Sequence, residues 1–418
     1  MGRSPRRPVG VRPSMSALKL VPITPEGLEP GQPLPFSLRD VSGQVLVHRG
    51  AAIADQQQLG YLLARALFVD AGEKELVQRQ LNAQVDQMLR SGGATLAEIA
   101  ALRPEFDPRA GEPRPVVERP LEWPDLEGRA RVLLGDTRAQ RWEARLDELA
   151  DEMLARLDRQ VDAVLLRFIH MAGTRTEDYS THHAILVMLL CALAGPRLPG
   201  WQPAWRRPLT RAALSMNVGM VPLQNELVRQ AHPLSPGQRS LVDGHALRGV
   251  ELLHAAGVGD ALWLDAVRHH HDAPNGPLEN LPPAVRLARL IQRADRYAAR
   301  LSARRNRAAL SAKAAAQAAF FDEGGHPDEA GQALLAETGL HPPGAWVKLA
   351  CGETALVMKR QSNPRAPLTV VSLVNRDGMP LAVPAVRHTA LPKYKVEAGV
   401  PSGEIRLQPN LEALQKLV

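Results

Sequence analysis

The stretch Tyr179-Ser180-Thr181-His182-His183 runs straight into Ala184–Gly195, the longest apolar run in the chain. A helix that crosses a bilayer needs about 20 apolar residues, so this run reads as a helix buried in a protein core. Histidines at the mouth of such a helix need polar partners, and the surrounding sequence supplies candidates. Nine of the 13 histidines fall between His170 and His271. Ser235 followed by Pro236 is a helix start, with Ser as cap and Pro in the first turn. The helix it predicts, Pro236 to Leu253, carries His245. His269-His270-His271-Asp272 close a helix that begins near Leu262.

Asp295 belongs to a predicted helix over 285–301, whose apolar side is Leu287, Leu290, Ile291, Ala294, Ala298 and Leu301. It lies four residues past Ile291 and three before Ala298, which turns it toward the core. A buried carboxylate is costly unless paired or metal-bound. Several imidazoles and one inward carboxylate on separate helices suit a divalent metal. Each residue taken alone reads more readily as an ordinary hydrogen-bonded histidine, or, for Asp295, as a carboxylate that caps a helix or pairs with an arginine.

The 418 residues leave room for two to four domains, at about 100–200 residues each. A chain 45% hydrophobic and 23% charged excludes wholesale disorder. With 4% aromatic residues, the core must be mostly Leu, Ala and Val. Cys191 and Cys351 cannot build a disulfide framework, which points to a reducing compartment. No apolar segment follows the basic start (Arg3, Arg6, Arg7, Arg12), so no secretory signal is read. The expectation is a cytoplasmic protein without membrane insertion.

The expected organisation is mainly α, flanked by β-containing parts. Residues 1–16 read as a disordered basic tail. Residues 17–72 read as a small mixed α/β module, with strand-like Phe36–Leu38 and Val45–Val47 around a turn at Asp40–Gly43, then helical periodicity from Gln57 to Phe68. Residues 73–160 read as a helical and Pro-rich linker, residues 161–340 as a helical domain, and residues 341–418 as a β-rich extension. In the extension, Leu368–Val374 is β-branched and Asp377-Gly378 signals a hairpin.

The helical region, Val164 to Leu340, resembles the HD-GYP domain, the helical branch of the HD superfamily that hydrolyses cyclic di-GMP. Tyr179-Ser-Thr-His-His183 resembles the family's Y-T-x-x-H. His245-Ala-Leu-Arg-Gly249 with Leu252 resembles H-x-x-x-G-x-x-L. His270-His271-Asp272-Ala-Pro-Asn275-Gly276 resembles H-H-E-x-x-D-G, and Ala294-Asp295-Arg-Tyr297 resembles A-D-x-Y. Arg304-Arg305-Asn306-Arg307 lines up with R-P-Y-R. The resemblance implies an HD-superfamily helical bundle, metal ligands at His183, His245, His270, His271 and Asp295, and phosphate contacts at Arg304 and Arg307. More loosely, the N-terminal module and the β-rich extension, with its Gly352–Val357 segment, look like parts attached to such domains.

The chain departs from the pattern at its namesake. Where the family carries H-D-x-G-K, this sequence has Met216-Asn217-Val218-Gly219-Met220. A metal ligand, a bridging carboxylate and a phosphate-contacting lysine are all replaced. The G-Y-P half is missing as well, with Pro277-Leu278-Glu279-Asn280 following Gly276. In the family, residues matching His183, Met216, Asn217 and Asp295 hold one metal, and those matching Asn217, His245, His270 and His271 hold the other. Three imidazoles remain at the second position, enough for one divalent ion (Fe, Mn or Zn) with an open position, and an empty site is the alternative.

Arg286, Arg289, Arg293, Arg296 and Arg300 recur at helical steps on the predicted last helix. They read as a solvated basic face, or, joined to Arg304 and Arg307, as a surface that attracts phosphate. Sparse aromatic interleaving argues against nucleic acid. Three functions follow as expectations. The first is a degenerate, non-catalytic or weakly active module that senses cyclic di-GMP or binds a signalling partner protein. The second is a phosphodiesterase with a mononuclear metal site. The third is an interaction scaffold like the related HDOD domains.

Overall fold

The structure is a computed structural model that describes residues 20–23, 28–41, 43–63, 67–91, 122–272, 274, 276–361, 363 and 366–418. The expected tail, the break after Ser91, most of the Pro-rich stretch and Asn275 lie outside the described residues. The chain divides into two compact units, 1–119 and 120–418.

In the first unit, strands β1 (Leu20–Pro22), β2 (Leu38–Arg39), β3 (Val45–Val47) and β4 (Phe68–Asp70) form one sheet in the order β1-β4-β2-β3. Helix α1 spans Gln56–Leu63 and α2 spans Ala71–Ser91. The helical periodicity expected through Phe68 fails at its end, because Phe68–Asp70 pairs antiparallel with Leu20–Pro22. Leu34, Leu38, Val47, Ile53 and Val69 bury against one another as a small core.

The second unit is mainly helical. It begins with α3 (Trp123–Gly135), followed by α4 (Trp142–Arg159) and α5 (Val161–Thr174). Residues 123–159, read from sequence as part of a linker, instead place Leu126, Leu133, Leu146 and Leu149 in the main core. At the centre lies α6 (Tyr179–Ala194). Beyond its first turn it has no polar face, because almost every side chain is apolar and buried. By length and composition the stretch Tyr179–Arg197 is apolar enough for a membrane span, yet 83% of its most apolar 18-residue window is buried inside the protein. Helices α7 (Arg206–Ser215), α8 (Val221–Leu227) and α12 (Pro283–Leu301) pack against it, while α9 (Pro236–Asp243), α10 (His245–Ala255) and α11 (Ala261–His269) pack in turn on one another and, through α11, on α7 and α12. Helices α13 (Ala312–Phe320) and α14 (Glu329–Thr338) complete the bundle.

The Ser235 start is a reciprocal cap. Ser235 Oγ accepts from Gln238 N at 3.2 Å, and Ser235 N donates to Gln238 Oε1 at 3.0 Å. The single helix expected over 236–253 is broken at Gly244, so His245 opens a new helix.

Strands β5 (Trp346–Leu349), β6 (Thr354–Val357), β7 (Thr369–Val374), β8 (Pro380–His388) and β9 (Val396–Val400) form an antiparallel sheet in the order β8-β7-β6-β5-β9. The hairpin signalled by Asp377-Gly378 joins β7 to β8, with Gly378 at φ 81°. Helix α15 (Leu411–Gln415) buries Leu414 against this sheet. The expectation of a mainly α chain with β structure toward both ends holds.

The arginine stripe does not behave as expected. Its residues do lie on α12, but Arg289 and Arg293 have side chains only 2% and 0% exposed. Arg289 Nε donates to Asp328 Oδ2 at 2.6 Å, Arg293 reaches the same carboxylate at 3.4 Å, and Arg293 and Arg296 both engage Glu323. Arg286 donates to the carbonyls of Leu281 and Glu279, each at 2.7 Å. The stripe is therefore an internal ion-pair seam that fastens α12 to the 321–328 loop, and only Arg300 of the five is well exposed. Removing one partner of a buried pair leaves an uncompensated charge. Asp328→Ala is expected to cost about 3–5 kcal/mol, read as a lowered midpoint in urea unfolding, and an unchanged midpoint would mean that the seam is dispensable.

Candidate metal centre

Helix α10 begins at His245, and His270 caps the C-terminus of α11. Each ring donates its Nδ1–H to the carbonyl three residues earlier: His245 to Val242 O at 2.5 Å, His270 to Val267 O at 2.6 Å. Those carbonyl partners assign the tautomer and leave both Nε2 atoms as acceptors. The two Nε2 atoms face each other at 3.1 Å in a site where His245 is 1% and His270 0% exposed. Burial, joined by the neighbouring His271 charge, lowers both pKa values, that of His270 to about 3. A proton between the two rings is thus disfavoured. Two nitrogens bound tetrahedrally to zinc at 2.0–2.1 Å lie about 3.3 Å apart, close to the observed separation. His271 completes the group. One ligand atom from each of the three residues lies within 4.8 Å of the others, and His271 is exposed. The donor set fits a divalent ion with one face open to solvent.

The segment Met216–Met220 packs against the first turn of α10. A Cβ on Gly219 would come within 2.3 Å of His245 O and 2.8 Å of Gly249 N, so only glycine permits this approach. Met216 and Asn217 are buried at 0% and 4%. Ser215 Oγ accepts from Trp263 Nε1 at 2.8 Å, which ties the same segment to α11.

His183 stands apart from the triad. Its Nε2 is hydrogen-bonded to Asp295 Oδ1 at 2.6 Å. Burial works against ionisation of Asp295, but the opposing effects, led by the hydrogen bond from His183, outweigh it and hold the carboxyl below its ordinary range. The sequence-predicted residues thus form two groups: His245, His270 and His271 as a cluster, and His183 with Asp295 as a bonded pair within the same electrostatic field.

Tyr179 stacks on His183 at 5.4 Å between ring centroids. Arg304 lies over the Tyr179 ring at 5.8 Å and donates to its hydroxyl at 3.3 Å. Arg304 and Arg307 pair backbone to backbone at 2.8 and 3.0 Å, which places both side chains on one tight turn. The Nε atom of each is buried without an acceptor among the described residues. Burial, then the charges of Arg304 and Arg300, lowers the pKa of Arg307, as expected where cations crowd without an anion.

No family model matches this chain. No curated protein matches it. A solved structure of a HDG"Y"P protein from Bdellovibrio bacteriovorus is similar with a TM-score of 0.39 at 14% identity, covering 76% of this chain and 98% of that one.

Sequence reasoning missed two supports of the site. Gln292, three residues before Asp295 on α12, donates from Nε2 to His271 O at 3.1 Å, and Arg289 donates to Pro274 O. The helix that carries Asp295 therefore also holds the corner that carries His271. Glu127 on α3 accepts two bonds from Arg167, at 2.8 and 2.9 Å, and faces His182 at 3.5 Å. His182 thus braces α3 while His183 faces the site. No local signal marks Gln292, because its partner is a backbone atom.

A carboxyl whose folded pKa is lowered adds stability above its unfolded pKa, about 3.9, and that stability is lost as pH falls through the folded value. In chelator-treated protein, the stability gap between wild type and Asp295→Asn should therefore be largest near neutrality and shrink below about pH 4. Urea unfolding at several pH values checks this, and a gap independent of pH would contradict a charged Asp295.

Proposed function

We propose that the chain is a degenerate HD-GYP-like protein that holds a single divalent metal at His245, His270 and His271. In this reading it acts in the cytoplasm as a cyclic di-GMP-responsive signalling module and not as an efficient two-metal hydrolase. The observation that carries the reading is the pair of carbonyl-anchored imidazoles whose Nε2 atoms face each other at 3.1 Å. Their geometry calls for a cation. The second half of a two-metal centre has no comparable geometry, since His183 is bonded to Asp295 and buried Met216 and Asn217 stand where the family carries His and Asp.

An ion held there would lower the pKa of a bound water and polarise a phosphoryl oxygen. The roles of the chain's own residues follow from their placement. His245 and His270 fix the ion through rings locked by Val242 O and Val267 O. Exposed His271 leaves the solvent side open. Arg304 and Arg307 offer guanidinium donors for a phosphate, and Met220, in place of lysine, offers none. The open face also favours a second reading, a slow phosphodiesterase with a mononuclear site.

Purified chain is expected to take up one Zn(II) or Mn(II) per molecule, to lose it in His270→Ala, and to bind cyclic di-GMP with negligible turnover. Elemental analysis, calorimetry and a hydrolysis assay measure these quantities. Brisk turnover would favour the phosphodiesterase. Neither metal nor nucleotide binding would leave a protein-interaction scaffold.

Gln292→Ala and Gln292→Glu each remove the donor to His271 O. Each is expected to weaken Co(II) binding about 10- to 100-fold, the usual effect of losing a group that orients a ligand. Visible absorption of the Co(II) protein checks this, and unchanged affinity would show that His271 is held without Gln292.

A further inference from the structure

Away from the histidines, the five-stranded sheet carries a cleft of about 830 Å³. That volume lies within the range of small-molecule sites, about 300–1,000 Å³. Its floor crosses neighbouring strands at Lys348 on β5, Thr354 on β6, Val374 on β7, Pro380 on β8 and Ala398 on β9, and its far wall is the segment Pro401–Leu407. The strand registers slip at this place. The β5–β9 register shifts between Lys348 and Leu349, the β6–β7 register between Thr354 and Ala355, and the β7–β8 register between Ser372 and Val374. Breaks in strand register re-aim side chains and gather near functional sites, and here three adjoin one cavity.

The chemistry of the lining is mixed. Val374, Val400, Ile405 and Leu407 are half-buried and belong to the sheet's hydrophobic cluster. Two cationic residues line the same space. Neither Lys348 nor Arg406 has an ion-pair partner among the described residues, although Arg387, elsewhere on the sheet, is paired with Glu353 at 2.9 Å. Glu404 is the one carboxylate on the wall, so the lining carries a net positive charge.

We infer that this cleft is a binding site for a small organic anion with an apolar body, its phosphate or carboxylate held by Lys348 and Arg406 and its body against Val374, Val400 and Leu407. The site is independent of the metal reading, because it shares no residue with the histidine cluster.

The fluorescent sulfonate 1-anilinonaphthalene-8-sulfonate has both features and serves as probe on the full chain. Wild type is expected to bind it saturably at one site. Arg406→Ala and Lys348→Gln should each weaken binding about tenfold, as for loss of one charge-assisted contact. Glu404→Gln should tighten it. Arg406 lies outside the strands and is exposed, so its variant tests the idea even if Lys348→Gln disturbs the sheet, and circular dichroism verifies folding. Competition with decanoate and with GMP then separates a fatty carboxylate from a nucleotide phosphate. Equal binding by wild type and Arg406→Ala, or displacement by neither competitor, would overturn the assignment.

Discussion

His245 and His270 each give their ring N–H to a carbonyl three residues back, and this local habit fixes the character of the whole site. Once both Nδ1 atoms are occupied, the remaining lone pairs meet across 3.1 Å with no donor of their own. A cation between two buried acceptors would relieve their repulsion. Burial disfavours the proton in that role. The close contact of Gly219 with His245 O and the Ser215–Trp263 bond hold the two helices at this spacing. A side chain larger than hydrogen at Gly219 would push α10 away and separate the nitrogens.

Helix α12 is the second organiser, and it works on both of its sides. One side supplies Leu287, Leu290, Ile291 and Ala294 to the core. The other is charged yet still buried, because Asp328 and Glu323 neutralise Arg289 and Arg293. A helix clamped on two sides has little freedom to rotate, so Asp295 and Gln292 reach His183 and the His271 carbonyl from a fixed base. The electrostatic seam thus bears on the site without touching it.

The degree to which the sequence disclosed this arrangement follows from the range of each interaction. Burial of α6 was legible because a nearly uniform apolar run leaves no solvent face. The apolar side of α12 was legible from its 3.6-residue period, and the β7–β8 hairpin from Asp377-Gly378. The end of α1 was not, since Phe68–Asp70 becomes a strand only through Leu20–Pro22. Nor was the fate of the arginines: periodicity separates charged from apolar positions, but only the distant Asp328 makes a charged position an internal one. The histidines were legible as a group through motif order. That they would form a triad and a separate His183–Asp295 pair depended on distances no spacing encodes.

The division has a chemical consequence. Two metals close together need anionic bridging to offset their mutual repulsion. Asn217, which the proposed HD-GYP-like reading puts at the bridging place, is neutral, buried at 4% and beside neutral Met216. The available carboxylate, Asp295, is hydrogen-bonded to His183, which favours its ionised form. Adding a second dication would require breaking that bond while supplying no bridging charge. One ion at the triad meets neither obstacle: its three ligands can be neutral, its geometry is nearly formed, and Asp295 offsets part of its charge from outside the coordination sphere. In the proposed reading, neutral Met216 and Asn217 therefore offer no charge to bridge a second metal, and the three imidazoles are the part of the pattern that could still hold one.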